Sequence, residues 1–150
     1  MRTFKDTAGR LWTVQINVDA IKRVRGLLNV DLLEITDGKL IERLVSDPVL
    51  LCDVLFAVVK PDADAQSVSD VDFGRSMGGD CIEHATTALL EDLTDFFPSS
   101  KRQVLRLALT KLREVETKIA ALVEKRLQGP ELNRQIETLL QSTSTTSSGS

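Results

Sequence analysis

The chain has 150 residues, of which 42% are hydrophobic, 27% charged and 4% aromatic, the balance of an ordinary globular domain. A chain of this length buries enough surface to hold a core unaided, which excludes a disulfide-stapled or metal-stapled mini-protein. One His (His84), two Cys, one Trp and no Tyr leave little for nucleophilic or metal-assisted chemistry. We therefore expect no enzyme activity, and no catalytic, cofactor-binding or metal-ligating residues.

The net charge of −3 combines segments of opposite sign. Residues 1–30 carry six basic and two acidic groups, residues 31–97 carry four basic and fifteen acidic groups, and residues 98–150 carry nine basic and five acidic groups. An acidic middle repels a polyanion from most of the surface, so nucleic acid is not the expected partner. A weak local contact through the basic cluster of Lys22, Arg23 and Arg25 stays open as an alternative.

Both cysteines, Cys52 and Cys81, lie in apolar helical runs. This placement is typical of small buried hydrophobes in a reducing, cytoplasmic setting rather than of a disulfide framework. The N-terminal residues lack the apolar region of a signal peptide, and no uncharged run of 18 residues occurs. We expect neither secretion by that route nor a membrane span.

The first 16 residues predict a β-hairpin. Phe4 is followed by a turn signal that ends in Gly9, and then by the alternating run Leu11–Ile16. Trp12, Val14 and Ile16 fall on one face of the second strand. Because an isolated hairpin is marginally stable in water, this face is expected to lie on the helices or on a partner's sheet.

Apolar side chains at helical spacing predict three helices next, at about 18–28, 39–45 and 48–59. Asn17 is a capping residue for the first helix, whose basic side chains are expected to face away from its apolar stripe. Asp47-Pro48 marks the start of the third helix, which is apolar on most sides and is the expected core helix. Lys60-Pro61 is expected to end that helix, and an acidic loop over 61–68 to follow it.

Ser69 fits a capping box, which predicts a short helix before Gly78-Gly79. Two longer helices are expected at about 80–96, capped by Asp80, and at about 101–128, ended by Gly129-Pro130. A last short helix over 131–140 and a disordered Ser/Thr-rich tail over 141–150 complete the chain. The predicted fold is mostly α (α+β): an N-terminal hairpin (1–16) and a compact bundle of five to six helices in a single domain of 1–140.

Three local patterns resemble known ligand-binding motifs, but each lacks residues that its motif requires. A calcium loop counted from Asp62 needs Gly at position 67 and Glu at position 73, where this chain has Ser67 and Phe73. Glu83-His84 lacks the second His of a zinc helix. Gly78-Gly79-Asp80 at a helix start lacks the Lys-Ser/Thr of a phosphate loop. Capping and solvated-loop roles explain these residues better.

The longest predicted helix carries an apolar seam, defined here by alternating three- and four-residue steps along 105–122. Its members are Leu105, Ala108, Leu112, Val115, Ile119 and Leu122. Two interpretations stay open. The seam packs on the helix of 48–59 within one domain, or it docks on another subunit or on a helical client.

Several segments between Trp12 and Pro98 resemble the tail assembly chaperones of tailed phages and of prophage-like clusters. The matching segments are 12–24, Val30-Asp-Leu-Leu, 47–55, Val71-Asp-Phe with Gly79-Asp80, and Asp95-Phe-Phe-Pro. None of them is a catalytic motif; they are helix caps and hydrophobic positions. They lie within residues 12–98, a range of about three fifths of the chain.

The resemblance implies a non-enzymatic role in phage or prophage-type tail assembly, in the cytoplasm of a bacterial host. Such a protein binds a long helical tape-measure protein, shields its apolar stripes, tends to self-associate, and in some cases is extended by frameshifting. This chain shows a Ser/Thr-rich end where an extension domain would follow. The expected partner-binding residues are Trp12, Val14, Ile16, Leu105, Leu112, Val115, Ile119 and Leu122. The alternative function is a small regulatory or adaptor interaction domain, with a variant of it that contacts nucleic acid weakly through Lys22, Arg23 and Arg25.

Overall fold

The structure, a computed structural model, describes residues 1–128 and confirms a mostly helical chain with an N-terminal β-hairpin. The elements in chain order are β1 (Arg2–Lys5), β2 (Leu11–Val14), α1 (Val18–Leu28), a 3₁₀ helix (Leu32–Asp37), α2 (Lys39–Ser46), α3 (Pro48–Ala65), α4 (Asp70–Arg75), α5 (Asp80–Phe96) and α6 (Ser99–Gln128). The predicted stop at Gly129-Pro130, helix of 131–140 and tail of 141–150 lie outside the described residues.

The chain divides into two compact units, and the boundary falls inside α6, between Arg106 and Leu107. The first unit contains the hairpin, all the helices from α1 to α5, and the beginning of α6. Of the second unit the structure describes 107–128, the rest of α6. The single domain over 1–140 stays a prediction.

The hairpin forms as the alternation indicates. The strands β1 and β2 are antiparallel, with Phe4 opposite Trp12, and Gly9 in the connecting turn has a φ of +84°. A residue with a side chain adopts that value only under strain, which is why glycine suits this position. The helix α5 packs on β1, and α3 packs on β2. The apolar face of the hairpin therefore lies on the chain's own helices, one of the two outcomes left open by the sequence.

The helix α3 is longer than predicted, because it continues through Pro61 to Ala65. Proline has no N–H, so the carbonyl of Ala57 loses its helical donor. The guanidinium of Arg23 replaces it: Nη1 donates to the carbonyls of Ala57 at 2.9 Å and Val58 at 3.1 Å. The predicted end of the helix at Lys60-Pro61, and the loop over 61–68, are wrong for this reason. Arg23 also does not face away from the apolar stripe as predicted.

Three of the predicted helix caps are confirmed and one is wrong. The side chains of Asn17, Asp47 and Ser69 each accept a hydrogen bond from a backbone N–H in the first turn of α1, α3 and α4. At α5 the capping position is Gly79, which makes no side-chain bond, and Asp80 is instead the first helical residue. Its carboxylate still lies near the positive end of the helix dipole, which is favourable.

The buried core consists mainly of α3 and α5 with the hairpin. The largest side chains that are almost fully enclosed are Trp12, Phe73, Leu32, Ile35, Leu44, Leu51, Leu55, Leu89 and Leu93. The segment Leu32–Asp37, for which the sequence analysis predicted no element, forms the 3₁₀ helix and buries Leu32 and Ile35. The expectation that the third helix is central to the core is confirmed, with seven of its residues buried.

Candidate functional site

The hairpin members of the predicted partner-binding set are core residues. Trp12 is completely enclosed, its ring packs edge-on against Phe73 at 5.2 Å between centroids, and its Nε1 donates to Asp6 Oδ2 at 2.9 Å. The other carboxylate oxygen of Asp6 accepts from the backbone N–H groups of Ala8 and Arg10. Asp6 thus orders the turn and also accepts the hydrogen bond of the buried indole N–H. The sequence analysis did not identify this role.

The end of the hairpin is anchored on α5 by a buried carboxylate. The backbone N–H of Ile16 donates to Asp92 Oδ2 at 2.6 Å, and Asp92 is only 4% exposed. Beside it, Arg2 bonds Glu91 at 2.8 Å and Asp95 at 2.7 Å. With Val14 also fully enclosed, none of the three hairpin residues presents its side chain on the surface of this unit.

The α6 members of the set behave differently along the helix. Leu105 is buried and Leu112 is half-buried, whereas Val115, Ile119 and Leu122 are 51%, 55% and 65% exposed. Leu105, at the start of the seam, is therefore covered, whereas the seam residues from Val115 onward form an exposed apolar surface. Of the two interpretations in the sequence analysis, these exposures favour binding for the part from Val115 onward.

Further exposed apolar side chains on α6 were not in the predicted set. Val104, Leu107, Val123 and Leu127 are each more than half exposed. In a helix of 3.6 residues per turn, Val123 and Leu127 lie beside Ile119, so they widen the apolar stripe. Their one-turn and two-turn spacing from Ile119 is the signal that could have identified them.

The basic cluster of the alternative function is largely occupied. Arg23 holds the carbonyls of α3 and also bonds the carboxylate of Asp19. Arg25 bonds Asp31 at 2.9 Å, and this contact holds the pKa of the Asp31 carboxyl below its usual range. Lys22 remains as an exposed cation. A phosphate backbone would have to compete with intramolecular carboxylates for two of the three groups.

The first unit includes two clefts whose walls contain polar residues. One of about 440 Å³ is shallow, borders β1 and α5, and includes His84, Thr3 and Glu83 in its wall. The second, of about 240 Å³, lies beside Arg23 and Pro61. Within residues 1–128, no group of three or more His, Cys, Asp or Glu side chains is arranged to hold a metal ion. In the wall of the first cleft Arg2 bonds Glu91, and in the wall of the second Arg23 bonds Asp19.

Both cysteine thiols are free. Burial raises the pKa of Cys52 and of Cys81, which keeps each sulfur protonated at neutral pH. Cys81 is buried and its Sγ lies 3.6 Å from the sulfur of Met77. Protonated thiols are poor nucleophiles. The predicted burial is confirmed for Cys81, whereas Cys52 is half-buried.

Comparison with known proteins adds no assignment to this geometry. No protein-family model, no curated protein and no solved structure matches the chain. Among the helices of residues 1–128, none combines the length and the apolar character needed to cross a membrane. The exposed apolar part of α6, from Val115 to Leu122, is the candidate functional surface.

Proposed function

We propose that this chain is a non-enzymatic, tail assembly chaperone-like protein. It binds a helical, tape-measure-type client during phage or prophage-type tail assembly, in the cytoplasm of a bacterial host. The surface that binds the client is the part of the seam on α6 from the half-buried Leu112 to Leu122. The resemblance of residues 12–98 to such chaperones and the open apolar stripe support the proposal independently of each other.

The observation that carries the proposal is the exposure of Val115, Ile119 and Leu122 along one helical stripe. Each of these side chains contributes on the order of 1.5–3 kcal/mol when it passes from full exposure to full burial, and proportionally less from half exposure. Three or four such contacts, offset by the cost of association, give reversible binding. Reversibility suits a chaperone that tail-tube subunits must later displace.

The stripe also has the right dimensions for a helical partner. At a rise of about 1.5 Å per residue, Leu112 and Leu122 lie about 15 Å apart along the axis. A client helix that lies in this stripe meets it over about three turns, which is the usual footprint of helix-in-groove recognition. An extended peptide would instead need free backbone groups to pair with, and those of α6 are bonded within the helix.

The experiment is capture of a tape-measure-type protein by the full-length chain, with a seam variant for comparison. We expect the wild type to capture the client at micromolar concentration. The double variant Leu112→Asp with Ile119→Asp should weaken binding by about 100-fold or more, because it places two carboxylates in the apolar contact.

The matched control is Thr110→Asp with Thr117→Asp. It adds the same charge at the same seven-residue spacing on the opposite side of the same helix, where both side chains are exposed. We expect it to bind like the wild type, and circular dichroism should show equal helix content in both variants. The proposal fails if the wild type forms no complex, or if the seam variant binds as well as the control. A shift to a homodimer in place of client capture would assign the stripe to self-association instead.

A further inference from the structure

We propose that the client helix carries carboxylates along one edge of its apolar stripe, and that Lys111, Lys118 and Lys125 of α6 pair with them. This inference rests on the proposed function, because it names the chemistry of the partner that the same stripe binds. It adds a second recognition element to the apolar contact.

The three lysines form a row that follows the stripe. They repeat every seven residues, and Lys111 and Lys118 each immediately precede a seam residue, Leu112 and Ile119. In a straight α-helix a seven-residue step returns to within about 20° of the same side, and supercoiling with a partner removes that drift. The lysines therefore occupy the edge position that forms interhelical ion pairs in coiled coils.

The row is available for a partner. All three lysine side chains are exposed, and none of them forms an ion pair with a carboxylate in residues 1–128. Glu114 lies four residues before Lys118 on the same helix, yet the two are not paired. The opposite edge of the stripe carries Glu116 and Val123. One edge of the stripe is thus uniformly positive and the other is not.

A second copy of this chain matches the row poorly. In a parallel pair of α6 helices, Lys111 meets Glu116 of the other copy, but Lys118 meets Val123. In an antiparallel pair, like edges meet and the lysines repel one another. A helix with a carboxylate in each heptad satisfies all three lysines, so charge complementarity selects a distinct, acidic-edged partner. A general polyanion is disfavoured because Glu114, Glu116 and Glu124 lie on the same helix.

The test uses the full-length chain and three designed helical peptides, each labelled and held at trace concentration. All three share three heptads with Ile and Leu in the stripe. They differ only at one edge position of each heptad, which is Glu, Gln or Lys. Fluorescence anisotropy measures the dissociation constants. We expect the Glu peptide to bind about tenfold or more tightly than the Gln peptide, and the Lys peptide to bind most weakly. High salt should shrink these ratios.

Two triple variants of equal charge make the test specific. Lys111→Glu with Lys118→Glu and Lys125→Glu should reverse the ranking, so that the Lys peptide binds best. The control exchanges three exposed lysines outside α6 that make no ion pair within residues 1–128, Lys5→Glu with Lys22→Glu and Lys39→Glu. It should keep the wild-type ranking.

Each contrary result has a defined meaning. If the three peptides bind with equal affinity, or if both triple variants lose the ranking equally, the lysine row does not pair with the client. Either result leaves client binding through the apolar seam untouched. Failure of every peptide to bind also overturns the inference, while client capture by the full chain still tests the proposed function separately. Binding of anionic vesicles that needs the lysine row but not Leu112 and Ile119 would reassign the row to a membrane surface.

Discussion

The apolar face of the hairpin and the part of the α6 seam from Val115 to Leu122 are both regular rows of apolar side chains. The hairpin face is buried, whereas this part of the seam is exposed. Trp12 and Val14 are fully enclosed, whereas Ile119 and Leu122 are more than half exposed. The hairpin row comes with polar groups that hold it in place, since Asp6 bonds the indole and Asp92 bonds the strand end. The α6 row is flanked by lysines that have no carboxylate partner within residues 1–128.

The difference shows what periodicity reports and what it leaves open. A period of two or of 3.5 indicates that one face of an element will be covered, because exposed apolar rows are costly. It does not say whether the cover comes from the same chain. The flanking polar side chains carry that information: buried carboxylates that meet backbone donors of the same chain indicate an internal face, and unpaired charges indicate an external one.

The two rows should respond very differently when one side chain in each is truncated. We expect Trp12→Ala to lower the free energy of unfolding by about 3–5 kcal/mol, because it leaves a large cavity and removes the buried hydrogen bond from the indole to Asp6. Ile119→Ala should change it by less than about 0.5 kcal/mol, since the side chain is exposed. Urea denaturation followed by far-ultraviolet circular dichroism measures both free energies. Tryptophan fluorescence does not serve here, because Trp12 is the only tryptophan and one of the variants lacks it.

Leu11→Ala is the control for the hairpin, since Leu11 neighbours Trp12 in β2 but is 54% exposed. Its cost should stay well below that of Trp12→Ala. A large loss of stability on Ile119→Ala would show that the seam is core, and would remove the basis of the proposed function.

A second prediction concerns the contact that links α1 to α3. Arg23→Ala should lower the free energy of unfolding by about 1–2 kcal/mol, because it takes the donor from the Ala57 carbonyl. In a Pro61→Ala background the amide at position 61 supplies the helical donor, so the same exchange should cost about 1 kcal/mol less. A double-mutant cycle in urea measures this coupling. Lys22→Ala is the control, and strict additivity of the two changes would contradict the assigned role.

The smallest expected effect is a pH dependence at the edge of the hairpin. Hydrogen bonds from Arg2 and from Arg106 hold the pKa of Asp95 below its ordinary value of 3.8. A lowered folded-state pKa stabilises the fold above that ordinary value, and the stabilisation is lost as the pH falls through the folded-state value. Asp95→Asn should therefore cost less than about 1 kcal/mol near neutral pH, and the cost should shrink as the pH falls below 3.8.

Denaturation midpoints of the wild type and of Asp95→Asn across this pH range measure the difference. Asp62→Asn removes an exposed carboxylate that has no ion pair in residues 1–128, and it supplies the baseline. A difference that grows on acidification would have the wrong sign and would contradict the ion pairs.

Much of the fold follows from local signals in the sequence. Asn17, Asp47 and Ser69 bond backbone groups within three residues, so the starts of α1, α3 and α4 were predictable from neighbours alone. The passage of α3 through Pro61 was not, because the group that rescues it lies 34 residues away. The anchoring role of Asp92 was hidden for the same reason, since its partner Ile16 is 76 residues distant. Of the candidate site, the stripe was predictable and its exposure was not.

The donation from Arg23 to α3 has a consequence for the order in which the chain folds. A helix is ordinarily self-sufficient, since every interior carbonyl finds its donor four residues along. The last turns of α3 depend on another helix, because the carbonyl of Ala57, four residues before Pro61, receives its hydrogen bond only once α1 has docked. A fragment that begins after α1 should end this helix near Lys60. The two helices therefore consolidate together, and the late turns of α3 report that the N-terminal region has already assembled.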